Sequence, residues 1–170
     1  MAILNILREG EETLRKKSRP VEVINPRVLR LLDDMKETLS QANGVGLAAP
    51  QVGIIRRACI VMETNVPEGE DEYFIELVNP EIIERDGEQE GGEGCLSLPE
   101  RYGVVKRPNH VKVRAQDRNG NTFEVEGTGL TARCFCHEID HLDGVLFTDR
   151  ATHMYTDEEM EELYGGDDKE

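Results

Sequence analysis

Apolar positions along this chain recur with two periods, and the change of period divides it into elements. Val28, Leu31, Leu32, Met35 and Leu39 fall at i, i+3, i+4, i+7 and i+11, which places them on one face of a helix that must bury against something flat. Asn25 suits the N-cap, Pro26 suits the first helical position because its missing N–H would go unused there, and Gly44 is read as the end. From there to about residue 127 the pattern becomes strands and turns. Segments 57–63, 73–78 and 82–84 are short and rich in β-branched or aromatic residues, with 66–72 and Asn79-Pro80-Glu81 as loops between them. Val111, Val113 and Ala115 alternate with polar residues, 117–121 (DRNGN) supplies a turn, and Phe123 and Val125 alternate again, which predicts a hairpin. A second helix is expected to start within 128–131 and run to Leu142, closing at Gly144; apolar residues surround it, so it reads as central and buried. A third, over 156–164, opens with a capping box from Thr156 to Glu159 but is short and acidic, and is expected to fray.

Composition narrows the class. The 170 residues suit one compact unit with one main core. Net charge is −15, and it is uneven: residues 1–57 carry 10 basic and 7 acidic side chains, 58–170 carry 10 and 28. Such a surface repels phosphate backbones, so DNA or RNA is a poor first partner, a small basic patch at Arg15, Lys16, Lys17 and Arg19 aside. The acidic stretch 63–76 is read as solvated loop and strand edge. No run of apolar residues is long enough to cross a membrane and the N-terminus lacks the form of a secretion signal, so a cytoplasmic location is expected. Four cysteines in a chain of this size do not need to pair; Cys59 and Cys136 are read as core thiols.

The chemistry concentrates at His137-Glu138-Ile139-Asp140-His141, an H-E-x-x-H on the predicted buried helix. Four residues turn a helix through about 400°, so both imidazoles leave one face and grip one ion while Glu138 stands beside them as a base. Two imidazoles and a carboxylate on an otherwise apolar helix need partners, and a cation supplies them. A catalytic ion commonly takes three protein ligands and keeps a place for water. The best third ligand is Cys95, in the glycine-rich turn of 91–97 (GGEGCLS), whose thiolate suits Fe(II), Zn(II), Co(II) or Ni(II). A rival set is Glu158, Glu159, Glu161 or Glu162, 17–21 residues beyond His141, as in a zincin-like endopeptidase. A non-catalytic acidic metal-binding module is the further alternative. Residues 44–51 (GVGLAAPQ) lack the Lys-Ser/Thr of a phosphate loop; their small side chains would let a peptide lie close, with Gln51 donating its amide to a substrate carbonyl.

Together, GVGLAAPQ at 44–51, EGCLS at 93–97 and HEIDHLDG at 137–144 resemble the three signature motifs of the peptide deformylase family, in that family's order. The resemblance spans roughly residues 1–150, one catalytic domain, with 151–170 a short acidic tail. It implies an α+β fold in which antiparallel sheets surround the helix bearing both histidines, with an N-terminal helix and a short acidic C-terminal one. It implies a metal-dependent hydrolase that removes the formyl group from the N-terminal formylmethionine of nascent polypeptides and releases formate. Carried over by position, Cys95, His137 and His141 are the metal ligands, Glu138 the catalytic carboxylate, and Gln51 with the Leu96 backbone N–H the oxyanion donors. Val45, Leu130 and Cys134 line the methionine pocket, while Gly46, Glu93 and Gly94 bracket the peptide main chain. Fe(II) is the implied native ion, with Zn(II), Ni(II) or Co(II) as substitutes. A transient ribosome contact is compatible with that substrate, but the acidic tail argues against direct docking on RNA. Cys136 departs from the glutamine common at that place in the family.

Overall fold

The computed structural model describes residues 2–164. Two antiparallel sheets and four helices make an α+β fold. The larger sheet has the order β1-β2-β3-β6-β7 and the smaller β4-β5-β8. The strands are β1 (Gly46–Ala48), β2 (Ala58–Glu63), β3 (Tyr73–Asp86), β4 (Gln89–Cys95), β5 (Leu98–Arg107), β6 (His110–Gln116), β7 (Thr122–Thr128) and β8 (His153–Met154). The helices are α1 (Pro26–Ala42), α2 (Leu130–Leu142), the single turn α3 (Phe147–Arg150) and α4 (Asp157–Tyr164).

The period-2 alternation of the larger sheet decides which helix packs where. In β2, Cys59 and Val61 join Ile75, Leu77, Val111, Val113 and Ala115 against Ala132, Phe135, Cys136 and Ile139 of α2. Their neighbours Ala58 and Ile60 face the other way, onto Leu32, Met35 and Leu39 of α1. The sheet is therefore clad by one helix on each face, with α2 held between it and the smaller sheet. A separate cluster of Leu14, Leu98, Val105, Leu146 and Phe147 ties the smaller sheet to α3.

Several expectations are corrected at their edges. Asn25 caps α1 through a bond from the Val28 N–H at 3.1 Å, but the left-handed residue at its far end is Asn43 (φ 56°), one before Gly44. Segments 73–78 and 82–84 are not separate strands, because β3 runs unbroken through Asn79-Pro80-Glu81 with a register shift there. Asn79 adopts φ 51°, and its side chain accepts from Val21 N and donates to Val21 O and to Gln116 Oε1, each at 2.8 Å. This is a bulge fixed by side-chain bonding, where local chemistry reads as a loop. Nor is 63–76 merely solvated edge: β3 is interior to the sheet, and Glu76 bonds Arg118 and Lys36 beside α1. The glycines of 91–94 are strand, not turn; none has a left-handed φ, and the tight turn comes after Cys95, which pairs with Leu98. The Thr156–Glu159 capping box forms reciprocally, both bonds at 3.1 Å, and residues 165–170 of the tail lie outside the described residues.

Asn79→Ala removes three bonds and leaves an unfavourable φ, so stability should fall by about 2–4 kcal/mol. Asn79→Gly, which tolerates the φ, should fall less. Urea midpoints at unchanged m-value measure both.

Candidate functional site

Helix α2 presents His137 and His141 one turn apart, both buried, with ring centroids 4.9 Å apart and planes at 68°. The register shift between Gly94 and Cys95 re-aims the end of β4 toward them. The Cys95 Sγ lies 3.3 Å from His141 Nε2, and the donor atoms of Cys95, His137 and His141 are all within 4.8 Å of one another. Among the described residues this is the single group of three or more His, Cys, Asp or Glu donors able to hold an ion. The tail glutamates are not part of it; Glu159 instead bonds His153 at 2.8 Å.

What lies behind His137 shows whether these groups fit a metal. The Glu93 carboxylate takes the His137 Nδ1–H at 2.7 Å, so the proton sits on Nδ1 and the Nε2 lone pair is left for the site. Burial alone would raise the Glu93 pKa, but bonds from His137 and Arg107 overcome it and hold the carboxylate well below its usual range. Arg107 grips Glu93 with Nε at 3.1 Å and Nη2 at 2.6 Å, and Arg133 Nη1 adds a third guanidinium bond at 2.9 Å. An imidazole oriented by a fixed anion, a second imidazole and a thiol form a donor set suited to a borderline divalent ion with one position open.

Around these donors lies a cleft of about 410 Å³. Gly46 enters from the start of β1 with Val45 just before it, Leu130 and Cys134 from the first two turns of α2, and Gly94 from the end of β4 with Leu96 just beyond it. Gln51 sits on a 3₁₀ turn (Ala49–Val52), its Oε1 held by the Ala48 N–H at 2.9 Å. That bond turns Gln51 Nε2 toward the centre, 3.5 Å from Cys95 Sγ and 3.1 Å from Ser97 Oγ. Glu138 is buried, its Oε1 has no hydrogen-bond partner, and burial above all pushes its pKa up to about 7. A Cβ on Gly46 would overlap Glu138 Oε2 and come within 2.9 Å of Cδ, so only glycine leaves that carboxylate its place. Glu93 lines the same cleft, yet its carboxylate is committed to His137 and the two arginines. His141 lies deeper, with Nδ1 unpartnered.

The sequence profile of the polypeptide deformylase family matches residues 3–157. The chain belongs to that family. It is 51% identical over 170 residues to the peptide deformylase of Lachnoclostridium phytofermentans, covering 95% of this chain and 100% of that one. Identity to the Caldicellulosiruptor bescii peptide deformylase is 50% over 169 residues, covering 99% and 98%. Among solved structures, the Legionella pneumophila peptide deformylase superposes with a TM-score of 0.81 at 41% identity, covering 99% and 95%. A class I type b peptide deformylase of Acinetobacter baumannii with Met-Ala-Ser bound gives 0.80 at 38%, covering 88% and 98%. Sequence reasoning within the family motifs did not find Arg107, Arg133 or Phe147. The ring of Phe147 stacks on His137 with centroids 6.2 Å apart. Arg107 and Phe147 reach the site from β5 and α3, and Arg133, although on α2, acts through Glu93 of β4, so none of the three carries a local pattern.

Glu93→Gln keeps the shape of the side chain and removes the charge that fixes His137. The affinity for Co(II) or Zn(II), read by competition with a chelating dye, should fall about 10–100-fold.

Proposed function

We propose that this protein removes the formyl group from the N-terminal formylmethionine of nascent polypeptides, releasing formate, and that Cys95, His137 and His141 hold the divalent ion this hydrolysis needs. The observation that carries the reading is the convergence of those three donors on a cleft that also contains the Gln51 amide and the unpartnered Glu138 carboxylate. We take residues 1–150 as the body of the catalytic unit and 151–170 as a short acidic tail, the start of which adds β8 to the smaller sheet. The native ion is proposed as Fe(II), with Zn(II), Ni(II) or Co(II) able to replace it at a site of one thiolate and two imidazoles.

When bound, the ion acts as a Lewis acid and lowers the pKa of water to near about 7. The chain's own groups do the rest. A Glu138 pKa of about 7 suits a carboxylate that accepts a proton from the attacking water and returns it to the departing amine. In this reading Gln51 Nε2 and the Leu96 backbone N–H donate to the oxygen on which charge develops; the Gln51 amide lying 3.5 Å from Cys95 Sγ supports the first of them. One such donor is typically worth about 2.7–4 kcal/mol in the transition state. Val45, Leu130 and Cys134 offer the methionine side chain an apolar wall, and Gly46, Glu93 and Gly94 offer main chain along which an extended peptide can lie.

Four free thiols among the described residues accord with a reducing compartment, and we propose the cytoplasm. No helix among the described residues is long and apolar enough to cross a membrane. The acidic segment 157–164 makes direct docking of this tail on RNA unfavourable. A zincin-like arrangement is disfavoured because the tail glutamates stand apart from the donor group.

Formate release from a formyl-Met-Ala-Ser peptide tests the activity; an inert, fully metallated protein would sink it. Glu138→Gln should retain one metal ion per chain and lose about 10²–10⁴-fold in kcat, since it removes the proton carrier and no ligand. Gly46→Ala, by displacing the same carboxylate, should also lower kcat with metal content unchanged. Cys95→Ala should lose metal while truncation after Ala151 keeps it, and the reverse result would move the third ligand to the tail.

A further inference from the structure

Asp140 stands between the two histidines in sequence, on the turn of α2 that carries them, yet its side chain leads away from the cleft. Its Oδ2 accepts from Arg107 Nη1 at 2.7 Å and from Arg150 Nε at 2.6 Å, while Oδ1 accepts from Arg150 Nη2 at 3.0 Å. Arg107 in turn holds both oxygens of Glu93, and Glu93 Oε2 takes the Nδ1–H of His137. Four charged side chains therefore run in contact from the half-exposed Arg150 on α3 to a ring nitrogen at the heart of the site. Along that line the ion pairs pass from exposed to buried: Arg150 is 49% exposed, Asp140 16%, Arg107 3% and Glu93 5%.

Geometry gives the chain a purpose. A guanidinium is a rigid plane, and Arg107 spends one edge on Glu93 and the remaining corner on Asp140. With two carboxylates on opposite sides its plane cannot tilt; with one, it can swing about the Glu93 contact and carry that carboxylate with it. Arg150 locks Asp140 by a two-point bond, the geometry that fixes angle as well as distance. The same turn, α3, supplies Phe147 against the face of His137, so His137 is braced both at its ring face and, through three intermediates, at Nδ1.

We propose that Asp140 and Arg150 are positioning residues of the metal centre, acting through Arg107 on the Glu93 carboxylate that orients His137. This rests on the reading of Cys95, His137 and His141 as metal ligands. A pair that served stability alone would alter the melting temperature and leave the coordination untouched; a positioning pair alters the coordination.

The test loads wild type, Asp140→Asn, Arg150→Met and Arg150→Lys with Co(II), and reads affinity by dye competition, the visible d–d absorption and formate release. Asp140→Asn should bind Co(II) about 10–100-fold more weakly, with shifted d–d bands and a lower kcat at unchanged KM. Arg150→Met should move all three the same way but by about two- to fivefold, the scale of one partly exposed ion pair. Arg150→Lys, which keeps the charge and loses the fork, should fall between Arg150→Met and wild type. Because Arg150 is at the exposed end, its variants carry the test even where Asp140→Asn fails to fold. Wild-type affinity and spectrum in the variants overturn the positioning role, whatever happens to their melting temperatures. A wild-type protein that binds no Co(II) overturns the metal-site reading and this role with it.

Discussion

The structure around the site depends on one buried carboxylate. Taking Glu93 out of water costs several kcal/mol, and that cost is offset only if its lone pairs are met with good geometry. Arg107, Arg133 and His137 meet them at 2.6–3.1 Å. These partners come from different layers: Glu93 and Arg107 belong to the smaller sheet, Arg133 and His137 to α2. The same ion pairs that neutralise Glu93 thus clamp the smaller sheet onto the helix. Cys95 lies two residues beyond Glu93 on the same strand, so the clamp also sets how closely the thiol approaches the imidazoles. Stability and the approach of the thiol to the imidazoles rest here on the same contacts.

The consequences spread through α2. Eleven of its thirteen residues are buried, and the apolar ones that meet the larger sheet share the helix with the polar His137, Glu138 and His141. Two buried polar atoms of these residues, Glu138 Oε1 and His141 Nδ1, have no hydrogen-bond partner among the described residues. Unsatisfied groups of this kind oppose folding by about 1–3 kcal/mol each. Their persistence next to a fully satisfied Glu93 indicates that the helix is held by its apolar face and by the Glu93 clamp, with no contribution from these two atoms.

Legibility in the sequence followed range. The stripe of α1, the 111–125 hairpin and the H-E-x-x-H are patterns within a few residues, and the structure reproduces them as elements. Where local chemistry and tertiary contact disagreed, tertiary contact won. Asn79-Pro80 reads as a turn, but bonds to Val21 and Gln116, 58 and 37 residues distant, keep it inside β3 as a bulge. The glycines before Cys95 read as a turn because glycine permits one. At Gly94 the requirement is instead lateral: a Cβ there would stand 2.6 Å from the Tyr102 ring across the hairpin. The brace behind His137 was invisible for the same reason, since Arg107, Arg133 and His137 are brought to Glu93 over separations of 14 to 44 residues. Motif resemblance named Glu93 as a neighbour of the peptide; its charge turns out to face the histidine.

The distribution of charge explains how a strongly acidic chain tolerates this centre. Of the carboxylates, Glu93 and Asp140 are enclosed by guanidiniums, whereas Glu138 has none bonded to it. An arginine on Glu138 would hold it ionised and lower its basicity; burial without a partner does the opposite and brings it to about 7. Two carboxylates within a single stretch of helix, Glu138 and Asp140, thus sit in opposite surroundings: one is buried with no guanidinium bonded to it, the other is held as a fixed charge by two arginines. The separation requires that arginines reach the back of α2 and not its front. At the front stands Gly46, whose missing side chain lets β1 pack against the Glu138 carboxylate.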